Sequence, residues 1–221
     1  GYEPFIATGR SPAETRDIME SANIHSGIFM NGQVVLYRDQ LVYSSEIPTE
    51  TVEKFHQMVK EDGYGLTAYN DKQFYLVASS PGAKDAYGFI HSNPPALNPD
   101  FYKENPINMM LFISLPPAEE KYKVAFPNLD FLRNTPYSVD VISKGNSKAE
   151  GIKRFLEHLN QEDAKTYAFG DGPNDIEMLQ AVSHPVAMGN ALPILKEIAE
   201  YITTDNTDNG IVNGLKHYGL I

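Results

Sequence analysis

The sequence contains no cysteine, which excludes a disulfide framework, a thiolate zinc site and a cysteine nucleophile. Basic residues are also scarce: 18 Lys and Arg stand against 29 Asp and Glu, and the formal net charge is -11. Nucleic acids and anionic membranes bind clustered basic surface, so neither partner is expected, and a phosphate-bearing ligand must be bound locally. No apolar run approaches the roughly 18 residues of a membrane span. A chain without cysteine suits a reducing compartment, and we expect the cytoplasm.

Hydrophobic patterns divide the 221 residues into three parts. Strand and helix patterns alternate in residues 1–46 and again in residues 144–221, which is typical of a layered α/β sheet. Residues 47–143 instead show separate runs of strands and helices, with the loop signals "SSPG" and "NPPALNP" between them. The sequence therefore predicts an α/β core in two parts, with an α+β module inserted between them.

Two helix starts carry capping signals. Ser11 and Glu14 have the spacing of a capping box around a proline, which predicts a helix over residues 12–22. Ser147 and Glu150 repeat the spacing, but the residue after Ser147 is Lys148, at the positive end of the helix dipole. A lysine there is disfavoured by roughly 0.3–1 kcal/mol, so we infer that an anion lies nearby. We also expect that replacing Lys148 leaves the fold intact or slightly more stable, because this removes a cation from a helix N-terminus.

An exposed, solvated Lys148 is the alternative interpretation. Lys144 is a second candidate cation, although it precedes the turn and lies away from any predicted helix start.

The segment "FGDGPND" joins a predicted strand to a predicted helix at residues 169–175. One interpretation is purely structural, with Asn174 as the helix N-cap. A dinucleotide-binding turn is disfavoured because Asp175 occupies the third glycine position, where a carboxylate would repel a pyrophosphate. A calcium loop is disfavoured because the glycine at position six and the glutamate at position twelve are missing.

The functional interpretation depends on where this segment lies. Ligands of an open parallel sheet bind beyond the carboxyl ends of the strands, so Asp171 is predicted to face that crevice. Two close carboxylates repel each other unless a cation lies between them, and an all-oxygen site suits Mg²⁺. Thr8 and Gly9 follow the first predicted strand and precede a helix, where backbone amides and a hydroxyl can bind phosphate, although such a pair also forms ordinary turns. These features together indicate phosphate chemistry.

Six segments, taken in order, resemble the haloacid dehalogenase superfamily of phosphatases: "ATGRS", "NGQVV", "SKAEGI", "GDGPNDIEML", "AMGNA" and "NGIVNGL". More narrowly they resemble its Cof-type branch, and the resemblance spans nearly the whole chain. It implies a Rossmann-like parallel-sheet core over residues 1–46 and 144–221, with an α+β cap over residues 47–143. It also implies a Mg²⁺-dependent phosphomonoester hydrolase that acts on small phosphorylated metabolites, such as sugar phosphates, through an aspartyl-phosphate.

The resemblance also assigns residues to phosphate. Thr8 would bind the transferred phosphoryl group with help from the Gly9 backbone, and Lys148 would neutralise the nucleophile and the phosphate. Asn174 would contact phosphate. Secondary phosphate contacts are expected from three further residues: Arg10, Asn31 and Asn190.

Two aspartates are assigned to the metal by the same resemblance. Asp171 would ligate Mg²⁺, and Asp175 would hold the metal, through its bound water, or the lysine. We therefore expect Asp171 and Asp175 to form one cluster with Lys148 and Thr8.

The sequence departs from the family at its first motif. That motif, D-x-D-G-T at the end of a strand, supplies the nucleophile and the acid-base aspartate, and no D-x-D occurs in this sequence. The chain as written is therefore predicted to be inactive, and we expect an N-terminal piece of about 30 or more residues, one strand with its crossover, to be missing. We use "intact version" for the chain together with that strand.

In the family, this strand lies between the strands that here read "PFIAT" and "TYAFG". We therefore expect those two strands to be unpaired with each other. Direct pairing would favour a different class, a non-catalytic sensor of phosphometabolites. A phosphomutase of the same superfamily is the enzymatic alternative. The sequence indicates no oligomeric state.

Overall fold

The computed structural model describes residues 2–221. The first part of the described chain carries the strands and helices β1 (Ile6–Ala7), α1 (Pro12–Ala22), β2 (Gly27–Phe29), β3 (Val34–Tyr37) and β4 (Gln40–Ser44). The middle part carries α2 (Thr49–Asp62), β5 (Gly65–Tyr69), β6 (Phe74–Ala78), α3 (Ala83–Phe89), α4 (Phe101–Glu104), β7 (Met109–Ile113), α5 (Glu119–Ala125), β8 (Leu129–Thr135) and β9 (Ser138–Ser143). The last part carries α6 (Lys148–Leu159), β10 (Tyr167–Gly170), α7 (Ile176–Ala181), β11 (His184–Ala187), α8 (Pro193–Ile198), β12 (Tyr201–Ile202) and α9 (Gly210–His217).

The core contains two sheets. In the first, β1 pairs in parallel with β2, and β3 and β4 extend the sheet in antiparallel fashion. In the second, β10, β11 and β12 are all parallel. The parallel pairs agree with the predicted α/β core, and the β3–β4 extension adds an antiparallel edge to it.

Among the described residues, strands β1 and β10 belong to different sheets and do not pair with each other. The ring centroids of Tyr2, four residues before β1, and Tyr167, the first residue of β10, are 6.2 Å apart. Beyond their ends, Asn174 donates a hydrogen bond to Asn31, whose backbone N–H bonds the carbonyl of Thr8. In the described chain β1 pairs with β2 and β10 with β11, so each has an unpaired edge. We call the space between them the slot.

Helix α6 packs against both core sheets. Its N-cap Ser147 accepts a hydrogen bond from the backbone N–H of Glu150, one half of the predicted capping box. The apolar positions Ile152 and Phe155 then repeat at helical spacing and form one buried stripe. Ile152 packs against the apolar clusters of both sheets, and Phe155 packs against Phe5 with ring centroids 4.4 Å apart. This packing fixes the position of Lys148, the first residue of the helix.

The five strands of the middle part form one antiparallel sheet, in the order β6-β5-β7-β9-β8, which we call the cap sheet. Alternate residues of each strand face opposite sides. The outer face carries Leu66, Phe112, Val139 and Val141, which pack with Phe55 of α2 in a buried apolar cluster. This arrangement is the α+β module that the sequence predicts, and residues 47–143 remain our proposal for its limits.

The opposite, inner face of the cap sheet packs against the core. Tyr69, Met109 and Ile142 lie in the same buried cluster as Phe29 and Met30, at the end of β2. The cap sheet therefore covers the loops that follow the parallel strands of the first core part.

Gly32 allows the first core sheet to approach the start of α6. Its φ is +92°, and a Cβ at this position would lie 2.1 Å from the carbonyl oxygen of Ser147. In the intact version we expect Gly32→Ala to lower the free energy of unfolding by about 2–5 kcal/mol, from backbone strain and overpacking together.

Gly63→Ala is the matched control in denaturant unfolding. Gly63 has a φ of +74°, but a Cβ added there would meet no atom within 4 Å, so only the backbone strain of about 1–2 kcal/mol is expected. Equal losses of unfolding free energy in Gly32→Ala and Gly63→Ala would show that the close approach of Gly32 to Ser147 does not limit stability.

Candidate functional site

The candidate site lies beyond the carboxyl ends of β1 and β10. Thr8 directly follows β1, and its backbone N–H bonds the carbonyl of Ile28 at 2.9 Å, so it continues the parallel pairing. The Thr8 hydroxyl accepts the backbone N–H of Arg10 at 3.1 Å, and the N–H of Met30 bonds the Arg10 carbonyl at 3.0 Å. These bonds fix a tight loop ahead of α1, whose capping box at Ser11 and Glu14 is formed as predicted.

The most buried ion pair of the described residues joins Lys148 to Asp175. Lys148 Nζ lies 2.6 Å from Asp175 Oδ1, and the two side chains are only 6% and 7% exposed. The other oxygen, Oδ2, accepts the backbone N–H groups of Asp171 and Gly172, both at 3.0 Å. Asp175 therefore fixes the turn and the lysine simultaneously, which accounts for a carboxylate at this position.

This pair corrects the expectation that Lys148 is removable at no cost to the fold. The unfavourable helix dipole is offset by a buried carboxylate, so removing the lysine leaves an uncompensated charge. Lys144, the alternative cation, is exposed, and its Nζ donates to the carbonyl of Pro127 at 3.4 Å.

Three side chains from different parts of the chain form a hydrogen-bonded row. Asn174 Nδ2 donates to Asn31 Oδ1 at 3.0 Å, and Asn31 Nδ2 donates to Asp140 Oδ2 at 3.1 Å. Asn31 is almost fully buried and has a left-handed backbone with φ 54°. The interpretation of Asn174 as a helix N-cap is wrong, because α7 begins at Ile176 and the Asn174 side chain bonds Asn31 instead.

Asp171 is exposed, and its surroundings differ from those of Asp175. Its Oδ2 accepts the side-chain N–H of Asn190 at 2.9 Å, and Asn190 Oδ1 accepts the backbone N–H of Asn206. Asn190 therefore lies beside the expected metal ligand, and its predicted contact with phosphate stays a prediction.

The described residues include no group of three or more His, Asp or Glu side chains arranged around a metal position. Both oxygens of Asp175 already accept hydrogen bonds from the protein. Of the two roles expected for Asp175, contact with Lys148 is the one present in the structure. The metal-ligating role expected for Asp171 stays a prediction.

The structure thus brings most of the predicted residues into one region. Backbone and side-chain contacts join Thr8, Asn31 and Asn174, and the turn at Asp175 joins Lys148 to Asp171. Gly9 belongs to the same group, because a Cβ built there would lie 3.3 Å from the side chains of Asn31 and Asp140. Arg10 is exposed at the edge of this region.

Asp140 is the site residue that the sequence interpretation missed. The only local signal is a charged residue in the apolar run "YSVDVIS", where strand alternation predicts a buried neighbour on each side. Its contact with Asn31 joins residues 109 positions apart, a distance that local patterns do not encode.

Comparison with known families identifies the fold. Residues 1–215 match the model of a family described as haloacid dehalogenase-like hydrolase. The chain is 37% identical over 222 residues to YkrA of Bacillus subtilis (strain 168), covering 100% of this chain and 86% of YkrA. The chain belongs to the haloacid dehalogenase-like hydrolase family.

Two solved structures agree with this assignment. A crystal structure of a hypothetical protein from Geobacillus kaustophilus HTA426 has a TM-score of 0.91 at 32% identity, and the match covers 98% of this chain and 85% of that one. The sugar phosphatase BT4131, of haloacid dehalogenase subclass IIB, has a TM-score of 0.85 at 28% identity, with 100% and 87% covered. The resemblance inferred from the motifs and the predicted fold class are confirmed.

Membership of this hydrolase family, with phosphatases among its solved neighbours, supports hydrolytic chemistry on phosphorylated small molecules. Among residues 2–221, no helix has the length and apolar character that crossing a membrane requires.

Proposed function

We propose that the intact version is a Mg²⁺-dependent phosphomonoester hydrolase that acts on small phosphorylated metabolites, such as sugar phosphates, through an aspartyl-phosphate. The observation that carries this proposal is the buried pair of Lys148, the first residue of α6, and Asp175, in the turn that follows β10. A buried lysine held by a carboxylate supplies a fixed positive charge. Such preorganised charge stabilises the transition state of phosphoryl transfer.

The residues of this chain bind and orient the phosphoryl group. The Thr8 hydroxyl and the Gly9 backbone would donate to its oxygens at the start of α1, where backbone N–H groups favour anions. Lys148 would neutralise charge on the equatorial oxygens, and Asn174 would also contact the phosphate. Asp175 is a positioning residue, because it acts by holding Lys148 and the backbone of the turn.

Asp171 is the proposed ligand of Mg²⁺ in this chain. Magnesium is usually held by one or two carboxylates, with water and substrate phosphate completing its octahedral shell, so a single exposed aspartate beyond a strand fits that ion. When bound, Mg²⁺ would neutralise phosphate charge. The Asn190 side chain, 2.9 Å from Asp171 Oδ2, orients this carboxylate.

The nucleophile is proposed to come from a strand in the slot between β1 and β10. Their unpaired edges, with the proposed phosphate-binding residues just beyond both ends, support this position. An aspartate there would attack phosphorus, the bond from phosphorus to the alcohol oxygen would break, and the second aspartate of D-x-D would protonate the leaving alcohol. Water would then attack the aspartyl-phosphate and release inorganic phosphate.

Phosphate release from a panel of phosphomonoesters tests the proposal. The intact version should release phosphate in Mg²⁺, and EDTA should abolish the activity. A phosphomutase would instead transfer phosphate to an added acceptor sugar, so product analysis with that sugar separates the two enzymes. Binding of phosphorylated metabolites without phosphate release or transfer would support the sensor and contradict the hydrolase.

A further inference from the structure

The loop that follows β11, residues 188–192, is bonded to the segments that follow both neighbouring strands, and we call it the bracing loop. Toward β10, the backbone N–H of Leu192 donates to the carbonyl of Asp171 at 3.1 Å. Toward β12, the backbone N–H of Gly189 donates to the carbonyl of Thr204 at 3.0 Å. The backbone of the bracing loop is therefore anchored on two sides.

Asn190, in the bracing loop, has a side-chain amide whose orientation is fixed by two different partners. Its Oδ1 accepts the backbone N–H of Asn206 at 3.1 Å, and a backbone N–H can only donate. The Nδ2 group therefore points the other way, and it donates to Asp171 Oδ2 at 2.9 Å. Asp171 and Asn190 are both exposed, so this contact depends on how firmly the bracing loop is held.

Gly189 brings the bracing loop close to the chain beyond β12. A Cβ built on Gly189 would lie 2.6 Å from the backbone nitrogen of Asp205, so a larger residue would displace the backbone. The Gly189 carbonyl lies in the same peptide plane as the backbone nitrogen of Asn190. A group that bonds this carbonyl therefore also fixes the direction in which the chain enters Asn190.

Lys196, a half-buried residue of α8, makes that bond. Its Nζ donates to the Gly189 carbonyl at 2.5 Å. A cation in the last turn of a helix is also favoured by the helix dipole, and Lys196 of α8 and Lys216 of α9 both occupy such positions. The bond to the bracing loop distinguishes Lys196 from this general effect.

We propose that Lys196 is a positioning residue for the carboxylate of Asp171, and that it acts through Gly189 and Asn190. This inference rests on the proposed function, in which Asp171 ligates Mg²⁺. Removing a group that orients a metal ligand typically weakens metal binding by about 10–100-fold. The charge of Lys196 acts in the opposite direction, because a cation near a metal site repels the metal ion. The direction of the change in metal affinity therefore separates positioning from charge.

Binding of Mn²⁺, a paramagnetic substitute for Mg²⁺, to the intact version tests the inference without turnover, by electron paramagnetic resonance. Lys196→Met is expected to raise the Kd for Mn²⁺ by about threefold or more. Loss of a positive charge alone would lower the Kd or leave it unchanged. Lys216→Met is the matched control: it removes a lysine from the last turn of α9 and should not raise the Kd.

A milder variant keeps the test independent of how well Lys196→Met folds. Lys196→Gln also loses the charge but keeps an N–H donor on a side chain one atom shorter, and it should raise the Kd for Mn²⁺ by about twofold or more.

A double-mutant cycle tests the route through Asn190. Asn190→Ala should raise the Kd for Mn²⁺ by about tenfold or more, because it removes the group that contacts Asp171. Adding Lys196→Met to Asn190→Ala should then change the Kd by less than about twofold, since the connecting side chain is already absent. Additive effects of the two substitutions would overturn the route.

The outcomes separate this inference from the proposed function. An unchanged or lower Kd in both Lys196 variants would overturn the inference while leaving the hydrolase proposal standing. Weaker Mn²⁺ binding in these variants, combined with no phosphate release by the unmodified intact version, would support the inference and overturn the hydrolase proposal. Failure of the unmodified intact version to bind Mn²⁺, with phosphate release that EDTA does not affect, would overturn both the metal role of Asp171 and the inference.

Discussion

Lys148→Met in the intact version is expected to lower kcat by about 10²–10³-fold, the range seen when one preorganised group that stabilises transition-state charge is removed. The same change is expected to reduce the free energy of unfolding by about 3–5 kcal/mol, because Asp175 would remain buried without its partner. Steady-state phosphate release and denaturant unfolding measure the two effects. Lys144→Met is the matched control, and it should alter neither kcat nor the free energy of unfolding, since Lys144 is exposed.

A second variant separates the catalytic effect from the structural one. Adding Asp175→Asn to Lys148→Met removes the unpaired charge, so stability should partly recover while kcat remains low. Recovery of both quantities together would mean that Lys148 acts only through the fold. A near-normal kcat in Lys148→Met would contradict the proposed role of Lys148, and another cation of the site would then have to neutralise the phosphate.

The strand in the slot is expected to have the largest effect on stability. Backbone N–H and C=O groups that are buried without partners cost about 1–3 kcal/mol each, and β1 and β10 each have an edge that no strand of the described residues pairs with. Several of them exceed the roughly 5–15 kcal/mol that stabilises a typical domain. We therefore expect the 221-residue chain alone to show no cooperative thermal unfolding, and the intact version to unfold in one sharp transition.

An intact version in which both aspartates of D-x-D are replaced by asparagine is the control for this experiment. Its strand still fills the slot, so cooperative unfolding should be retained while phosphate release is lost. If the 221-residue chain alone unfolds as cooperatively as the intact version, the two core sheets need no strand between them, and the sensor becomes the better interpretation.

Local sequence signals predicted the elements that carry their own start and stop residues. Helix α1 runs from Pro12 to Ala22 and α6 begins directly after its N-cap Ser147, as the two capping patterns indicate. Turn and cap chemistry acts over a few residues, so it can be read without knowledge of the tertiary fold.

The contacts that build the site join distant segments, and their partners could not be read from local patterns. The unusual position of Lys148 indicated a nearby anion, but only the fold identifies Asp175, 27 residues away, as that anion. The contact between Asn31 and Asp140 depends on how the cap sheet packs against the core. Burial explains why the expectation for Lys148 is wrong. A lysine at an exposed helix start could be replaced at little cost to stability, whereas replacing the buried Lys148 leaves its partner carboxylate uncompensated.

A crystal structure of the intact version with Mg²⁺ and orthovanadate, a mimic of the transferred phosphoryl group, tests the central claim most directly. The account predicts vanadate within hydrogen-bonding distance of Thr8 Oγ1 and Lys148 Nζ, a magnesium ion ligated by Asp171, and the D-x-D strand paired with both β1 and β10. Vanadate bound elsewhere, or a metal ion remote from Asp171, would contradict it.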